Sequence, residues 1–232
     1  MIFFPTECLL EILAFLQKDQ GSLFSCLLIN RHWCRITVPI LWKEPCFKKG
    51  KLIRKFLQEL NANERKLFFS GLNANELKLF FSRLNANERK LLLSEFNAQF
   101  KITIPSNTNP LFEYLTYIKK VSAFDLDDGV KDWLKYVRFN NSIVSSLIII
   151  FLQKCKNLKE LDLSGFILLD DKSKKKVLEV LFENNALTSV NLDFNTLDSE
   201  IRKKFTTSLH TTTSLSSLIL LTNRLDFKSV KS

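Results

Sequence analysis

A chain of 232 residues that is 46% hydrophobic and 12% aromatic, with 21 phenylalanines, has the apolar mass for one or two packed domains and is not composed like a disordered segment. Its five cysteines (Cys8, Cys26, Cys34, Cys46, Cys155) form no CxxC and are odd in number, which fits poorly with a disulfide framework and well with a reducing compartment, cytoplasm and/or nucleus. No basic stretch and cleavage site mark a signal peptide, and the longest apolar run, Leu147 to Leu152, is far short of the ~18 residues of a membrane span, so a soluble protein is expected. The net charge of +10 sits mainly in residues 46–101, where twelve basic groups face five acidic ones. Such a segment could meet nucleic acid or another anionic surface, but no aromatic stacking platform or recognition motif accompanies it in the sequence. A solvated helix face is the expectation, and nucleic acid is not the expected partner.

The chain opens on an unusually apolar stretch, Phe4 to Trp42, in which 22 of 39 residues are hydrophobic. From Cys8 to Leu16 only Glu11 is polar, and a helix apolar nearly all round must be covered on more than one side. A unit of about 40 residues rarely buries a sufficient core alone, so the surplus surface is expected to meet another protein or the rest of this chain. Three short helices are predicted. Pro5 and Thr6 open the first, with Leu9, Ile12, Leu13 and Leu16 at i, i+3, i+4, i+7. Ser22 is the expected N-cap of the second, from Leu23 to Ile29. Asn30 caps the third, which should end before Pro39 because a residue preceding proline avoids the helical region.

The Phe4-Pro5-Thr6-Glu7 opening, the Leu9-Leu10-Glu11-Ile12-Leu13 core, Leu16 and the run Leu27 to Trp33 together resemble an F-box. The trailing Pro39-Ile40-Leu41-Trp42 is similar to fungal-type members of that family. Phe4 stands where the family has Leu, Asn30 where it has Cys, and Ser22 where Asp is common. The resemblance implies a helical module that docks on a Skp-type adaptor, and through it on a cullin and a RING protein. The adaptor contact is then expected among Phe4, Pro5, Leu9, Leu10, Ile12, Leu13, Leu27, Ile29 and Trp33, with the division between docking face and internal core left open.

Residues 46–110 read as a helical linker. Three near copies, NANERKLFFSGL (61–72), NANELKLFFSRL (73–84) and NANERKLLLSEF (85–96), each carry Glu three residues after Asn, the spacing of a capping box. A twelve-residue period would rotate the apolar patch by roughly 120° per copy along one straight helix. Short helices restarted at each Asn would keep the apolar triplets on one side, and this is the predicted arrangement. The copies themselves read as an expanded hinge, or alternatively as a spacer or self-association surface.

From 111 onward a short helix (Leu111–Lys119) precedes a recurring frame. Leu158-x-x-Leu161-x-Leu163, Leu187-x-x-Val190-x-Leu192 and Leu215-x-x-Leu218-x-Leu220 are spaced 187 − 158 = 29 and 215 − 187 = 28 residues apart, with Asn195 and Asn223 following the last two. This resembles leucine-rich repeats of the longer type, which implies a strand–helix solenoid with turns satisfied by the Asn side chains. Ile118-x-x-Val121-x-Ala123 is a candidate degenerate strand, followed by a helix that includes Val130–Val137. Ile143 to Leu152 predict a buried helix; Lys172–Glu183 and Ser199–Leu209 predict the helices between strands. The residues facing out between the inward leucines are Glu160, Asp162 and Ser164, then Ser189, Asn191 and Asp193, then Ser217, Ile219 and Leu221. They are the candidate substrate-binding face, or else a plain solvated sheet face.

No glycine-rich phosphate loop, HExxH or GxSxG occurs, and only His32 and His210 are present. His32 and Cys34 lie two apart on a predicted helix, where side chains diverge. Asp125, Asp127 and Asp128 fit a helix-initiating turn. No catalytic residue, metal ligand or cofactor is expected.

The expectation is therefore a mainly α N-terminal F-box module (1–45), a helical linker (46–110) and a short α/β leucine-rich-repeat solenoid (111–232). By resemblance this is the substrate-recognition subunit of an SCF-type ubiquitin ligase, non-catalytic, with an unknown protein substrate. The alternatives are a truncated F-box protein that binds the adaptor and recruits nothing, and a basic repeat protein that binds nucleic acid.

Overall fold

A computed structural model describes residues 5–72, 74–82, 84, 86, 114–134, 140–164, 171–192, 203, 207 and 214–220 of the chain. Its elements are α1 (Thr6–Phe15), a 3-10 turn (Leu16–Lys18), α2 (Gln20–Leu27), α3 (Arg31–Leu41), α4 (Gly50–Glu59), α5 (Ala62–Ser70), α6 (Ala74–Ser82), α7 (Tyr114–Tyr117), β1 (Lys120–Ser122), α8 (Ala123–Leu134), α9 (Asn140–Lys154), β2 (Glu160–Asp162), α10 (Asp171–Glu183), β3 (Ser189–Asn191) and β4 (Ser217–Ile219). The protein is mainly helical, with one small parallel sheet in the order β1-β2-β3-β4.

Two expectations about the N-terminal helices are corrected. The cap of α2 is Asp19, not Ser22: Asp19 has non-helical backbone angles and accepts a hydrogen bond from the Ser22 amide at 3.1 Å. Ser22 falls three residues into the helix instead, where its hydroxyl donates to the other Asp19 oxygen at 2.6 Å. Helix α3 does not stop before Pro39 but runs through it to Leu41. The penalty of an interior proline is offset because Ile40 and Leu41 pack on a core shared with Leu13, Leu23 and Cys26. Asn30 caps α3 as expected, accepting from the His32 and Trp33 amides at 2.9 and 3.0 Å.

Helix restart at the repeated asparagines holds for the first two copies. Asn61 caps α5 through a reciprocal capping box with Glu64, and α6 begins one residue after Asn73. Equivalent rings of the two copies meet, Phe68 with Phe80 at 5.6 Å and Phe69 with Phe81 at 5.5 Å, and Phe80 continues to Trp133 at 5.1 Å. The third copy, apart from Ala86, lies outside the described residues, as do Asn195, Asn223 and most of 199–209.

The basic segment begins with α4 and the residues just before it. Ile53, Phe56 and Leu57 are buried while Lys51 and Lys55 are exposed, so the charge of α4 lies on the solvent side of an amphipathic helix, and Lys48 and Lys49 are exposed just before it. Helix α4 packs on α8, and Asp132 of α8 accepts a hydrogen bond from the Gly50 amide at 2.8 Å, satisfying one N-terminal donor of α4 from a neighbouring helix. The contact is close on both sides. A Cβ on Gly50 would lie 2.5 Å from the Trp133 backbone nitrogen, and one on Gly129 would overlap the Phe47 carbonyl.

Helix α9 is buried along its length from Ile143 to Leu152, touched by α5, α8 and α10, which accounts for its near absence of polar residues. Phe47, Phe56 and Phe151 form a ring cluster near its C-terminal end, with Phe56 stacked on Phe151 at 4.8 Å. One continuous core takes in Phe47–Leu84 and Ile118–Leu192, so packing continues across the division expected at 110.

The sheet pairs Lys120 with Glu160, Glu160 with Ser189 and Ser189 with Ser217, which brings the inward residues Val121, Leu161, Val190 and Leu218 into one row. A second ladder precedes the strands. The Lys159 and Glu160 amides donate to the Lys119 carbonyl at 2.8 and 2.9 Å. Those of Thr188 and Ser189 donate to Lys159, and those of Ser216 and Ser217 to Thr188, in the same two-into-one pattern. The series begins outside the sheet: the Lys119 and Lys120 amides donate to the carbonyl of Lys43, just after α3. Positions 43, 119, 159, 188 and 216 are thus successive rungs, and the end of the N-terminal module supplies the first.

Two asparagines tie the turns before the strands. Asn157 donates to the Thr116 carbonyl at 2.7 Å; Asn184 donates to that of Leu152 at 2.7 Å and accepts from the Ala186 amide at 2.9 Å.

Candidate functional site

The N-terminal module has a small interior and a large apolar exterior. Leu13, Leu23 and Cys26 form its core, with Leu16, Trp33, Ile36, Ile40 and Leu41 packed around them. Outside lie Leu10, Ile12, Phe15, Phe24, Leu28 and Ile29, all exposed, with Phe15 at 89% and Leu28 at 84%. Scattered exposed leucines are ordinary on a protein surface, but six large apolar side chains within twenty residues are not.

The geometry of α1 explains the division. At about 100° per residue, Leu9, Leu13 and Leu16 fall within one stripe, which is the buried side; Leu10 and Ile12 flank it and Phe15 points away. On α2, Leu23 and Cys26 face inward, while Phe24 and Leu28, four residues apart, share the outer side.

Of the residues expected at an adaptor contact, Pro5, Leu10, Ile12 and Ile29 are exposed, Leu27 and Trp33 are half-buried, and Leu9 and Leu13 are interior. Phe4 lies outside the described residues. Phe15, Phe24 and Leu28 were not singled out in the sequence. The signal that finds them is negative: each is a large apolar residue lying off the inward stripe.

The Asp19 cap sets the start of α2 and hence the placing of Phe24 and Leu28. The hydroxyl and amide of Ser22 hold its carboxyl below the ordinary value of 3.8. A lowered native value means that the contribution of this group to stability is complete above the unfolded value and disappears as pH falls through the native one. Asp19→Asn, which keeps the acceptor but cannot titrate there, is expected to flatten the acid limb of a melting-temperature profile below the ordinary carboxylate value of 3.8. Identical acid limbs for the two proteins would contradict the assignment.

The sheet offers a second surface. Lys120, Glu160, Ser189 and Ser217 form one cross-strand row, and Ser122, Asp162, Asn191 and Ile219 the next. Glu160, Ser217 and Ile219 are exposed, whereas Asp162, Ser164, Ser189 and Asn191 are half-buried; Asp193 and Leu221 lie outside the described residues. Lys120 pairs with Glu160 at 3.3 Å, and Asp162 accepts from the Ser164 amide at 2.9 Å, so much of the local acidity is already engaged. Lys120 and Ser122 are additions to the face anticipated from sequence.

Among the described residues, no group of three or more His, Cys, Asp or Glu could hold a metal ion, and no helix is long and apolar enough to cross a membrane. His32 is exposed and Cys34 half-buried; His210 lies outside the described residues. Burial raises the Cys155 thiol far above its ordinary range, with the nearby Glu64 carboxylate adding to the shift, which makes it a packing residue.

Residues 4–48 match the family described as F-box-like, which makes the N-terminal module an F-box-like domain. The chain is 43% identical over 42 residues to a protein of Saccharomyces cerevisiae named Antagonist of mitotic exit network protein 1. That stretch is 18% of this chain and 8% of the yeast protein. No solved structure matches the chain.

Proposed function

We propose that this protein is a non-catalytic adaptor subunit of an SCF-type ubiquitin ligase, in the cytoplasm and/or nucleus. Its F-box-like module docks on a Skp-type adaptor, and through it on a cullin and a RING protein. The sheet-bearing half, a short and degenerate leucine-rich-repeat array, holds a protein target. An F-box-like domain serves in general as such a connector, and the 29- and 28-residue spacing of the paired frames supports the repeat reading.

The observation that carries the proposal is the imbalance in the first 42 residues: six exposed large apolar side chains around a small interior of Leu9, Leu13, Leu23, Cys26 and Val38. Covering each fully is worth about 1.5–3 kcal/mol, so an adaptor surface that buries them gains affinity and completes the fold together. Ubiquitin transfer needs no reacting group from this chain. Tethering raises the effective concentration of target lysines at the charged conjugating enzyme.

Co-expression with a Skp-type adaptor followed by size-exclusion chromatography tests the reading. The wild-type chain is expected to co-elute with the adaptor, and Leu10→Asp combined with Ile12→Asp to elute alone. Both positions are exposed, so the circular dichroism of the variant should match wild type. A wild-type chain that passes through the column unpartnered and monomeric sinks the proposal.

A further inference from the structure

The rung positions carry a pattern that the fold does not require. At the distal rungs, 188 and 216, the residues are Thr and Ser, and their hydroxyls donate back to the carbonyls of Lys159 and Thr188 at 3.2 and 3.0 Å. A small hydroxyl residue therefore suits this position. At the three proximal rungs the residues are Lys43, Lys119 and Lys159, the last two exposed.

Neighbouring strands are about 4.8 Å apart, so this column stacks like charges at a spacing that disfavours the folded chain. Relief is slight. Lys43 leans on Glu44 at 3.7 Å, and Lys159 donates to the Ala186 carbonyl at 3.2 Å while keeping its charge. Lys119 and the exposed Lys156 have no acidic partner among the described residues.

We propose that Lys43, Lys119 and Lys159 form a docking strip for an extended, Asp/Glu-rich segment of a partner protein, where the N-terminal module meets the sheet. The inference rests on the rungs and is independent of the ligase reading. The rung amides and carbonyls are consumed in the ladder, which leaves only ammonium groups to make contact. No exposed aromatic ring lies on the rungs, so the stacking platform of a single-stranded nucleic acid site is missing. An extended peptide presents same-side side chains every ~6.7 Å, and two or three carboxylates on alternate residues span the strip within reach of flexible lysine stems.

Fluorescence anisotropy of the full chain with a labelled alternating Glu-Gly peptide tests this at low and at physiological salt. Lys119→Gln with Lys159→Gln is expected to weaken binding about tenfold, whereas Lys49→Gln with Lys51→Gln, removing the same charge from two exposed positions at the start of α4, should change it by less than about twofold. Lys119→Arg with Lys159→Arg keeps the charge and should retain binding, which separates loss of charge from loss of fold. The glutamine pair should also melt no lower than wild type, since it relieves repulsion. Equal weakening by the two glutamine pairs, or absence of binding at low salt, overturns the strip. A single-stranded oligonucleotide of equal charge that binds more tightly, and loses the same factor in the Lys119/Lys159 variant, overturns the choice of occupant.

Discussion

Phe15→Ala combined with Leu28→Ala is expected to weaken the complex with a Skp-type adaptor by about two to four orders of magnitude while leaving the free protein as stable as before. Among the described residues these are the two most exposed large apolar side chains, at 89% and 84%, so truncating them removes little from the folded monomer. In a complex that covers them, each truncation forfeits about 1.5–3 kcal/mol, and every 1.4 kcal/mol is a factor of ten. Leu13→Ala, two positions away from Phe15 on α1, should behave in the opposite sense. Leu13 is fully buried in a cluster with Leu23 and Cys26, and losing its side chain costs about 2–5 kcal/mol, more than so small a module can absorb. Titration calorimetry and thermal melting on the three proteins separate the effects. Unchanged affinity in the Phe15/Leu28 variant would place the adaptor contact elsewhere.

The reason sequence alone could not make that distinction is physical. Leu9, Leu10, Ile12 and Leu13 are all apolar, so hydrophobicity carries no direction around α1; only the placing of α2 and α3 chooses Leu9 and Leu13 for the interior. Where the pattern had a direction it could be read. Asn61 with Glu64, Asn30 before His32, and the apolar run of α9 each specify a local structure from neighbouring residues, and each is formed as expected. Asp19 and Pro39 show the limit of local rules. Both Asp19 and Ser22 are capping types, and the choice between them fell to the helix start; the proline rule was overridden by the burial available to Ile40 and Leu41.

The sheet frame was legible for the same reason the rungs were not. Leu161, Val190 and Leu218 repeat as side chains, and their spacing becomes pairing register. The rungs are backbone carbonyls, which any residue provides, so neither the ladder nor its start at Lys43 leaves a signature in residue type. The docking strip became visible only once Lys43, Lys119 and Lys159, far apart in sequence, were stacked. Asn157 and Asn184 likewise hold turns in places that a frame built on Asn195 and Asn223 does not point to.

Gly129→Ala is expected to destabilise the protein by about 3 kcal/mol, although alanine is the better helix former by about 1 kcal/mol. Gly129 lies within α8, and a Cβ there would overlap the Phe47 carbonyl and sit 2.7 Å from Ile53 Cδ1. Neither neighbour can yield cheaply. Phe47 packs on Phe56 and Phe151 in the main core, and Ile53 is buried on α4, whose first turn is fixed by the Gly50–Asp132 hydrogen bond. To admit one methyl group α4 must move away from α8 and open the main core, so the cost falls on packing rather than on helix propensity. Gly21→Ala supplies the control. Gly21 is exposed in α2 and its Cβ would meet only the Asp19 side chain at 3.4 Å, so the same substitution should leave stability unchanged or raise it by up to about 1 kcal/mol. Urea unfolding measures both. If Gly129→Ala unfolds at the wild-type midpoint, the close approach of α4 to α8 is wrong, and with it the position of Phe47 in the main core.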